Sequence, residues 1–266
     1  MINSNIRIGF IGFGSMGQAI CDGLIKADAA DPGRMSACAG NWDKLLDRAE
    51  ERGIKACTTA SEVVDGSDLI IVAVKPELVR PLLEPIKDML IGKAVISVAY
   101  GCDYDFYDDF VIDGTNHLYV IPNTPVSVCE GIMICEKRHS LTSEQMNAFR
   151  KIFSSVAVLE FVETRLMEAA CAISGCGPAF AALFIEALGD AGVKHGLRRE
   201  TAYKLAAQMT AGTGALQMST GNHPASIKDA VCSPGGTTVR GIAALEECGF
   251  RNAVIKAVDA AMLMMF

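Results

Sequence analysis

Basic residues are scarce in this chain, and their scarcity excludes one large class of function. The 266 residues include 24 Lys and Arg against 31 Asp and Glu, so the formal net charge at pH 7 is −7. A general nucleic-acid-binding protein needs excess cations to neutralise phosphates, so we expect no nucleic-acid partner. Any anionic ligand must be held by local donors, because the overall field of the protein is negative.

Metal-binding, disulfide and export patterns are also lacking. The ten cysteines include no C-x-x-C pair, and the four histidines are scattered, so we expect no metal site. Cysteines such as Cys21 and Cys171 fall in apolar runs, as reduced, buried thiols do. The N-terminus has no signal-peptide pattern, and Glu168, Glu186 and Asp190 interrupt the most apolar stretch. We therefore expect a soluble, cytoplasmic protein with no membrane partner.

What the chain does contain is a glycine-rich turn near its N-terminus. Residues 6–11 are typical of a buried strand, residues 12–17 read G-x-G-x-x-G, and residues 18–26 have a helical pattern. In this context Gly12 permits a tight turn, Gly14 lets the backbone approach a pyrophosphate, and Gly17 lets the helix pack closely. The helix N-terminus then offers free N–H groups to phosphates. A glycine-rich turn without a ligand is the alternative for this motif alone.

Strand and helix patterns alternate through the first half of the chain. Apolar runs predict strands at residues 35–39, 69–74, 94–99, 118–121 and 131–135. The last of these runs is predicted to be the final strand. Such alternation indicates a doubly wound, mostly parallel sheet that binds ligands beyond the carboxyl ends of its strands. That rule points to residues 12–17, 40–41, 74–76, 99–101 and 123–125.

The end of the second predicted strand bears on the choice of cofactor. NAD-binding folds usually carry an acid there, which binds the ribose 2′-OH. Here residues 38–41 read Cys-Ala-Gly-Asn, and the first acid is Asp43. Without that carboxylate a 2′-phosphate is not repelled, which favours NADP. No arginine in the sequence marks a clear 2′-phosphate clamp.

From about residue 163 onward the pattern is helical, with two glycine-rich breaks. Residues 174–178 separate two apolar helices, and residues 233–238 contain Gly-Gly before a helix that Thr237 or Thr238 is expected to cap. Free N–H groups at that helix start would hold a carboxylate. The alternative for residues 174–178 is a helix kink without a ligand, and the alternative for residues 233–238 is an ordinary capped loop. The apolar helices predict burial against a second subunit, and the apolar residues 262–266 either pack on a partner or mark a truncation.

Five motifs stand in an order that resembles one enzyme family. They are GFIGFGSM at 9–16, AVKP at 73–76, PNTP at 122–125, SGCGPAF at 174–180, and His223-Pro224 through Lys228-Asp229 to SPGGTT at 233–238. Together they resemble the pyrroline-5-carboxylate reductase family over nearly the whole chain. The resemblance implies an α/β fold with a Rossmann domain over residues 1–161. An all-helical dimerisation and substrate domain over residues 162–266 would follow.

The resemblance also implies an activity. Family members use NADPH, and often accept NADH, to reduce the C=N bond of 1-pyrroline-5-carboxylate and form L-proline. They form homodimers, which can assemble as five dimers into a decamer. The protonated iminium accepts hydride readily, so orienting the substrate against the nicotinamide is the main task of such an enzyme.

Site residues follow from the strand-end rule together with the resemblance. Substrate contacts are expected from Ser174, Gly236, Thr237 and Thr238, with Thr238 acting as the catalytic residue at the ring nitrogen. Cofactor contacts are expected from Ile11, Gly12, Phe13, Gly14, Ser15, Met16, Asn41, Ala73, Val74, Lys75, Pro76, Val98, Ala99, Tyr100 and Asn123. The chain departs from the family at Cys176 and Phe180, where Ser and Tyr are usual, and at Thr164, where several members have Glu.

Two other functions fit parts of the pattern. A β-hydroxyacid dehydrogenase has the same two-domain plan, but by family analogy it would carry a lysine on the first helix after the glycine break. Residues 166–190 contain no lysine. A non-catalytic NADP-sensing protein would keep the glycine-rich turn but leave the Thr237-Thr238 loop without a purpose.

Overall fold

A computed structural model describes residues 5–263 of the chain. The chain divides into two compact units, Met1–Gly175 and Cys176–Phe266. The expectations for the extreme N-terminus and for the apolar residues 264–266 fall outside the described residues. The predicted division after residue 161 stays a prediction.

An eight-stranded sheet forms the centre of the first unit, in the order β3-β2-β1-β4-β5-β6-β7-β8. Its strands are β1 (Ile8–Ile11), β2 (Met35–Cys38), β3 (Lys55–Ala56), β4 (Leu69–Val72), β5 (Ala94–Ser97), β6 (Asn116–Pro122), β7 (Gly131–Glu136) and β8 (Ala157–Val162). Strands β1 to β6 are parallel, β7 runs antiparallel to β6, and β8 is parallel to β7. The predicted mostly parallel, doubly wound sheet is confirmed, and its first six strands have the Rossmann order.

Helices cover this sheet and make up the second unit. The first unit contains α1 (Ser15–Lys26), α2 (Trp42–Arg52), α3 (Ala60–Asp65), α4 (Pro76–Leu83), α5 (Tyr104–Asp108), α6 (Ser143–Phe153) and α7 (Met167–Ser174). The second contains α8 (Gly177–Lys194), α9 (Arg199–Thr220), α10 (Pro224–Ala230), α11 (Thr237–Glu247) and α12 (Phe250–Leu263).

Local signals explain the ends of several helices. Helix α2 begins where the Asn41 side chain accepts a hydrogen bond from the Lys44 N–H at 2.9 Å, and it ends at Gly53, whose φ is +67°. Helix α6 begins with a capping box formed by Thr142 and Gln145.

Two apolar layers lie on opposite faces of the sheet. Along β1, Ile8 and Phe10 pack into one layer and Ile11 into the other, and the residues of β4 alternate in the same way. This period of two follows from strand geometry. Burial on both faces explains why β4 is an uninterrupted apolar run in the sequence.

Two predictions about the first unit are wrong. The strand over residues 131–135 is not the last, because β8 follows it at the sheet edge, where exposed Val158 and Glu160 weaken the apolar pattern. The sequence of residues 77–89 has a helical pattern that predicts one α-helix, but α4 ends at Leu83 and a 3₁₀ segment, Glu84–Leu90, continues the chain. Pro85 lacks the N–H that another α-helical turn requires.

The second unit buries little of its own apolar surface. Its buried residues, over the described part 176–263, are Gly189, Ala202 and Ala206, all of them small. Large apolar side chains are instead exposed, among them Leu183 at 66%, Met218 at 70% and Ile255 at 61%. Exposed apolar surface on this scale marks an interaction site, so the prediction of burial against a partner gains a structural basis.

One stretch within the described residues, Thr164–Lys194, is long and apolar enough to cross a membrane by length and composition. It includes α7 and α8. Glu168, Glu186 and Asp190 interrupt this stretch, as predicted, so it contains no run of twenty uncharged residues. The same apolar surface is what an interface between two copies of the chain would bury.

Candidate functional site

The glycine-rich turn between β1 and α1 has the geometry that its sequence predicts. Gly12 has a φ of +95°, and a Cβ on it would lie 2.5 Å from the Ala73 carbonyl oxygen. A Cβ on Gly17 would lie 2.7 Å from the Gly12 carbonyl oxygen. A Cβ on Gly14, however, would meet no atom within 4 Å. The fold therefore requires the first and third glycines, whereas the second faces open space.

A cleft of about 660 Å³ lies at the carboxyl ends of β1, β2 and β4. It brings together eight of the predicted cofactor residues: Ile11, Gly12, Phe13, Gly14, Asn41, Ala73, Val74 and Lys75. It also includes Gly40, to which the strand-end rule points, and residues that the sequence does not mark: Cys38, Ala39, Arg48, Thr58, Thr59, Ala60, Leu78 and Leu82. The cleft is thus centred on the glycine-rich turn and on the end of the second strand.

The other predicted cofactor residues lie outside the lining of this cleft. Ser15 and Met16 begin α1, and Pro76 begins α4. Residues 98–100 follow β5, and Asn123 follows β6. Because these strands are parallel, all of these residues lie along the same edge of the sheet. Their contacts with a cofactor stay predictions.

The cleft is chemically suited to an anionic ligand. Its lining contains two cationic residues, Arg48 and Lys75, and no Asp or Glu. The first turn of α1 adds N–H groups that no helical carbonyl can pair. Burial raises the pKa of the Cys38 thiol to about 11, so this part of the wall is uncharged at neutral pH. A dinucleotide pyrophosphate fits this donor set and the open space beside Gly14.

Asn123 and Ser174 make hydrogen bonds within the first unit. The Asn123 side chain is 6% exposed, its nitrogen donates to the Ser174 carbonyl at 3.0 Å, and its oxygen accepts from the Ile132 N–H at 2.9 Å. The Ser174 hydroxyl donates to the Ala170 carbonyl at 2.9 Å. Asn123 thus ties the end of α7 to β7. The ligand contacts predicted for Asn123 and Ser174 stay predictions.

A buried carboxylate near Thr164 was missed from the sequence. Glu136 is 1% exposed and accepts hydrogen bonds from the Thr164 hydroxyl at 2.5 Å and the Tyr104 N–H at 2.9 Å. Desolvation raises the pKa of its carboxyl group. Glu163 lies on the surface and pairs with Lys137 at 3.4 Å. The only signal for Glu136 in the sequence is an acid at the end of an apolar strand.

The loop over residues 233–238 leads directly into α11. Gly235 has a φ of +68°, and Gly236 is the N-cap residue in an extended conformation, without a side-chain cap. The prediction that Thr237 or Thr238 caps this helix is therefore wrong, since both are helical residues of its first turn. Their hydroxyl groups have no hydrogen-bond partner among residues 5–263. The first-turn N–H groups and both hydroxyls are thus available to a ligand.

The His-Pro pair upstream has a clear structural role. His223 is the N-cap residue of α10, and its Nδ1 accepts a hydrogen bond from the Ala225 N–H at 3.2 Å. Pro224 takes the first helical position, where the missing N–H costs nothing. The pair therefore fixes the start of the helix that precedes the Gly-Gly loop.

Comparisons with known proteins agree with this geometry. Residues 164–264 match the family model described as pyrroline-5-carboxylate reductase dimerisation, and residues 7–101 match the one described as NADP oxidoreductase coenzyme F420-dependent. The chain is 45% identical to a pyrroline-5-carboxylate reductase from Treponema pallidum, over 97% of this chain and 99% of that protein.

Solved structures are similar over the whole length. The pyrroline carboxylate reductase of Plasmodium falciparum, crystallised with NADP bound, is 32% identical, with a TM-score of 0.85 over 98% of this chain and 97% of that one. The pyrroline-5-carboxylate reductase of Coxiella burnetii is 31% identical, with a TM-score of 0.87 over 98% of both chains.

Proposed function

The chain belongs to the pyrroline-5-carboxylate reductase family, and on that premise we propose that it reduces the C=N bond of 1-pyrroline-5-carboxylate to form L-proline. This is the last step of proline biosynthesis. NADPH, when bound, supplies the hydride. The observation that carries the proposal is the acid-free cleft around Gly14, which suits a dinucleotide. We further propose that the enzyme works in the cytoplasm, with its thiols reduced.

The chain's own residues have three tasks in this reaction. The glycine-rich turn and the N-terminus of α1 bind the pyrophosphate and so position the cofactor. The first-turn N–H groups of α11 bind the substrate carboxylate. The Thr238 hydroxyl accepts a hydrogen bond from the protonated ring nitrogen and orients the ring for hydride transfer. Orientation of this kind can lower a barrier by roughly 7–11 kcal/mol, so no strong acid or base is required.

The test is a substrate panel with purified protein, read out as loss of reduced-nicotinamide absorbance. We expect NADPH oxidation that depends on 1-pyrroline-5-carboxylate, with higher initial rates for NADPH than for NADH at subsaturating cofactor. The preference follows from the absence of a carboxylate at the end of β2. Turnover of a 3-hydroxy acid with NADP⁺ instead would indicate a β-hydroxyacid dehydrogenase. Binding of NADPH without turnover of any substrate would indicate a sensing protein.

We propose a homodimer as the smallest active assembly, with five dimers in a decamer as the higher one. The support is that the second unit, over residues 176–263, exposes large apolar side chains and buries only small residues. Light scattering at micromolar concentration should give at least twice the chain mass of 28.2 kDa. A stable and active monomer would contradict this prediction, and a tenfold mass would identify the decamer.

A further inference from the structure

Arg48 lies in the cofactor cleft although the sequence marked no arginine there. It is a half-buried residue of α2, the helix that follows the end of β2. Side chains on a helix tilt towards its N-terminus, so a guanidinium from this position reaches back towards Asn41 and the glycine-rich turn. There, Nη1 of Arg48 donates a hydrogen bond to the Phe13 carbonyl oxygen at 3.2 Å.

The fold does not need Arg48 to satisfy that carbonyl or to fix α2. The Phe13 oxygen also accepts a hydrogen bond from Nε2 of Gln18, at 3.2 Å. Helix α2 is attached to α1 by Arg52, which donates to both carboxylate oxygens of Asp22, at 2.6 and 3.1 Å. The structural tasks in this region are therefore performed by Gln18 and Arg52.

Arg48 is, in contrast, a cation with unused donors. It forms no ion pair within residues 5–263, and four of its five N–H donors remain after the bond to Phe13. Glu62 approaches this part of the first unit, but the hydroxyl and N–H of Thr58 both donate to its carboxylate, at 2.6 and 3.0 Å. The end of β2, where the adenosine ribose binds in folds of this type, thus offers one unpaired guanidinium.

We propose that Arg48 binds the 2′-phosphate of NADPH and sets the preference of the enzyme for NADPH over NADH. The inference rests on the proposed function. A guanidinium matches the geometry of a phosphate and remains charged at all physiological pH values. Lys75, the other cationic residue of the cleft, follows β4 rather than β2, so it lies nearer to the pyrophosphate and nicotinamide ends. Of the two cationic residues that line the cleft, Arg48 is the one on the helix that follows β2.

Fluorescence titration of NADPH and of NADH, without substrate, tests this role. For Arg48→Ala we expect the dissociation constant of NADPH to rise about ten- to a hundredfold, because the variant loses a charge-assisted hydrogen bond to the phosphate. The dissociation constant of NADH should stay close to that of the wild type, and Arg48→Lys should recover part of the preference. The matched control is Lys55→Ala, which removes the same charge from β3, outside the cleft, and should change neither constant.

Each result decides the question. If Arg48→Ala leaves both dissociation constants unchanged, or weakens the binding of NADPH and NADH equally, Arg48 does not bind the 2′-phosphate. Unchanged NADH affinity in the variant also shows that the cleft is folded. A wild-type protein that binds NADPH but does not reduce 1-pyrroline-5-carboxylate overturns the proposed reaction and leaves the Arg48 assignment to its own test. A wild-type protein that binds neither dinucleotide overturns both.

Discussion

Gly14→Val is expected to abolish NADPH binding while leaving the protein folded. A Cβ at Gly14 meets no protein atom within 4 Å, and the backbone there is extended, with φ −77° and ψ −162°. The added side chain therefore costs the fold little, but it fills the space that a pyrophosphate would occupy. Losing two charge-assisted hydrogen bonds to the phosphates should weaken NADPH binding by at least about a hundredfold.

The other two glycines provide the matched controls. Gly12→Ala and Gly17→Ala each place a methyl group against backbone oxygens, at 2.5 and 2.7 Å, so both variants should melt at lower temperature than the wild type. The melting temperature of Gly14→Val should be close to that of the wild type. The measurements are fluorescence titration with NADPH and a thermal melt for each variant. Wild-type NADPH affinity in Gly14→Val would contradict the assignment of this turn as the pyrophosphate site.

The sequence is sufficient to predict an element wherever a local signal determines its structure. The glycine spacing, the unbroken apolar run of β4 and the cap residues Asn41 and Gly53 each act within a few residues of the chain. The sheet and the course of the cofactor edge could therefore be predicted. The edge strand β8 could not be predicted, because two of its six residues are exposed and its pairing with β7 is a long-range contact.

The predicted site was incomplete for a related reason. Arg48 reaches the cleft only because α2 folds back beside the glycine-rich turn, and nothing in its local sequence indicates this. Asn123 and Glu136 have their hydrogen-bond partners 51 and 28 residues away, in Ser174 and Thr164. For α11, the sequence does not distinguish Gly236 from the two threonines as the N-cap residue, because glycine and threonine both serve in that position.

The position of the N-cap of α11 bears on the proposed role of Thr238 in the reaction. Because Gly236 is the N-cap residue of α11, the Thr238 hydroxyl contributes no capping hydrogen bond to the helix. It is an exposed first-turn side chain whose hydroxyl has no partner among the described residues. Removing it should therefore leave the melting temperature nearly unchanged, which would separate the proposed catalytic role from a structural one.

Thr238→Ala is expected to lower kcat/KM for 1-pyrroline-5-carboxylate by roughly five- to two-hundredfold, which corresponds to losing one hydrogen bond of about 1–3 kcal/mol in a desolvated site. Thr238→Ser keeps the hydroxyl and should recover most of the activity. Thr201→Ala, which changes an exposed first-turn threonine of α9, should behave as the wild type. NADPH affinity should be unchanged in all three variants, since the cofactor cleft belongs to the first unit. Wild-type kcat/KM in Thr238→Ala would mean that the loop before α11 has only a structural role.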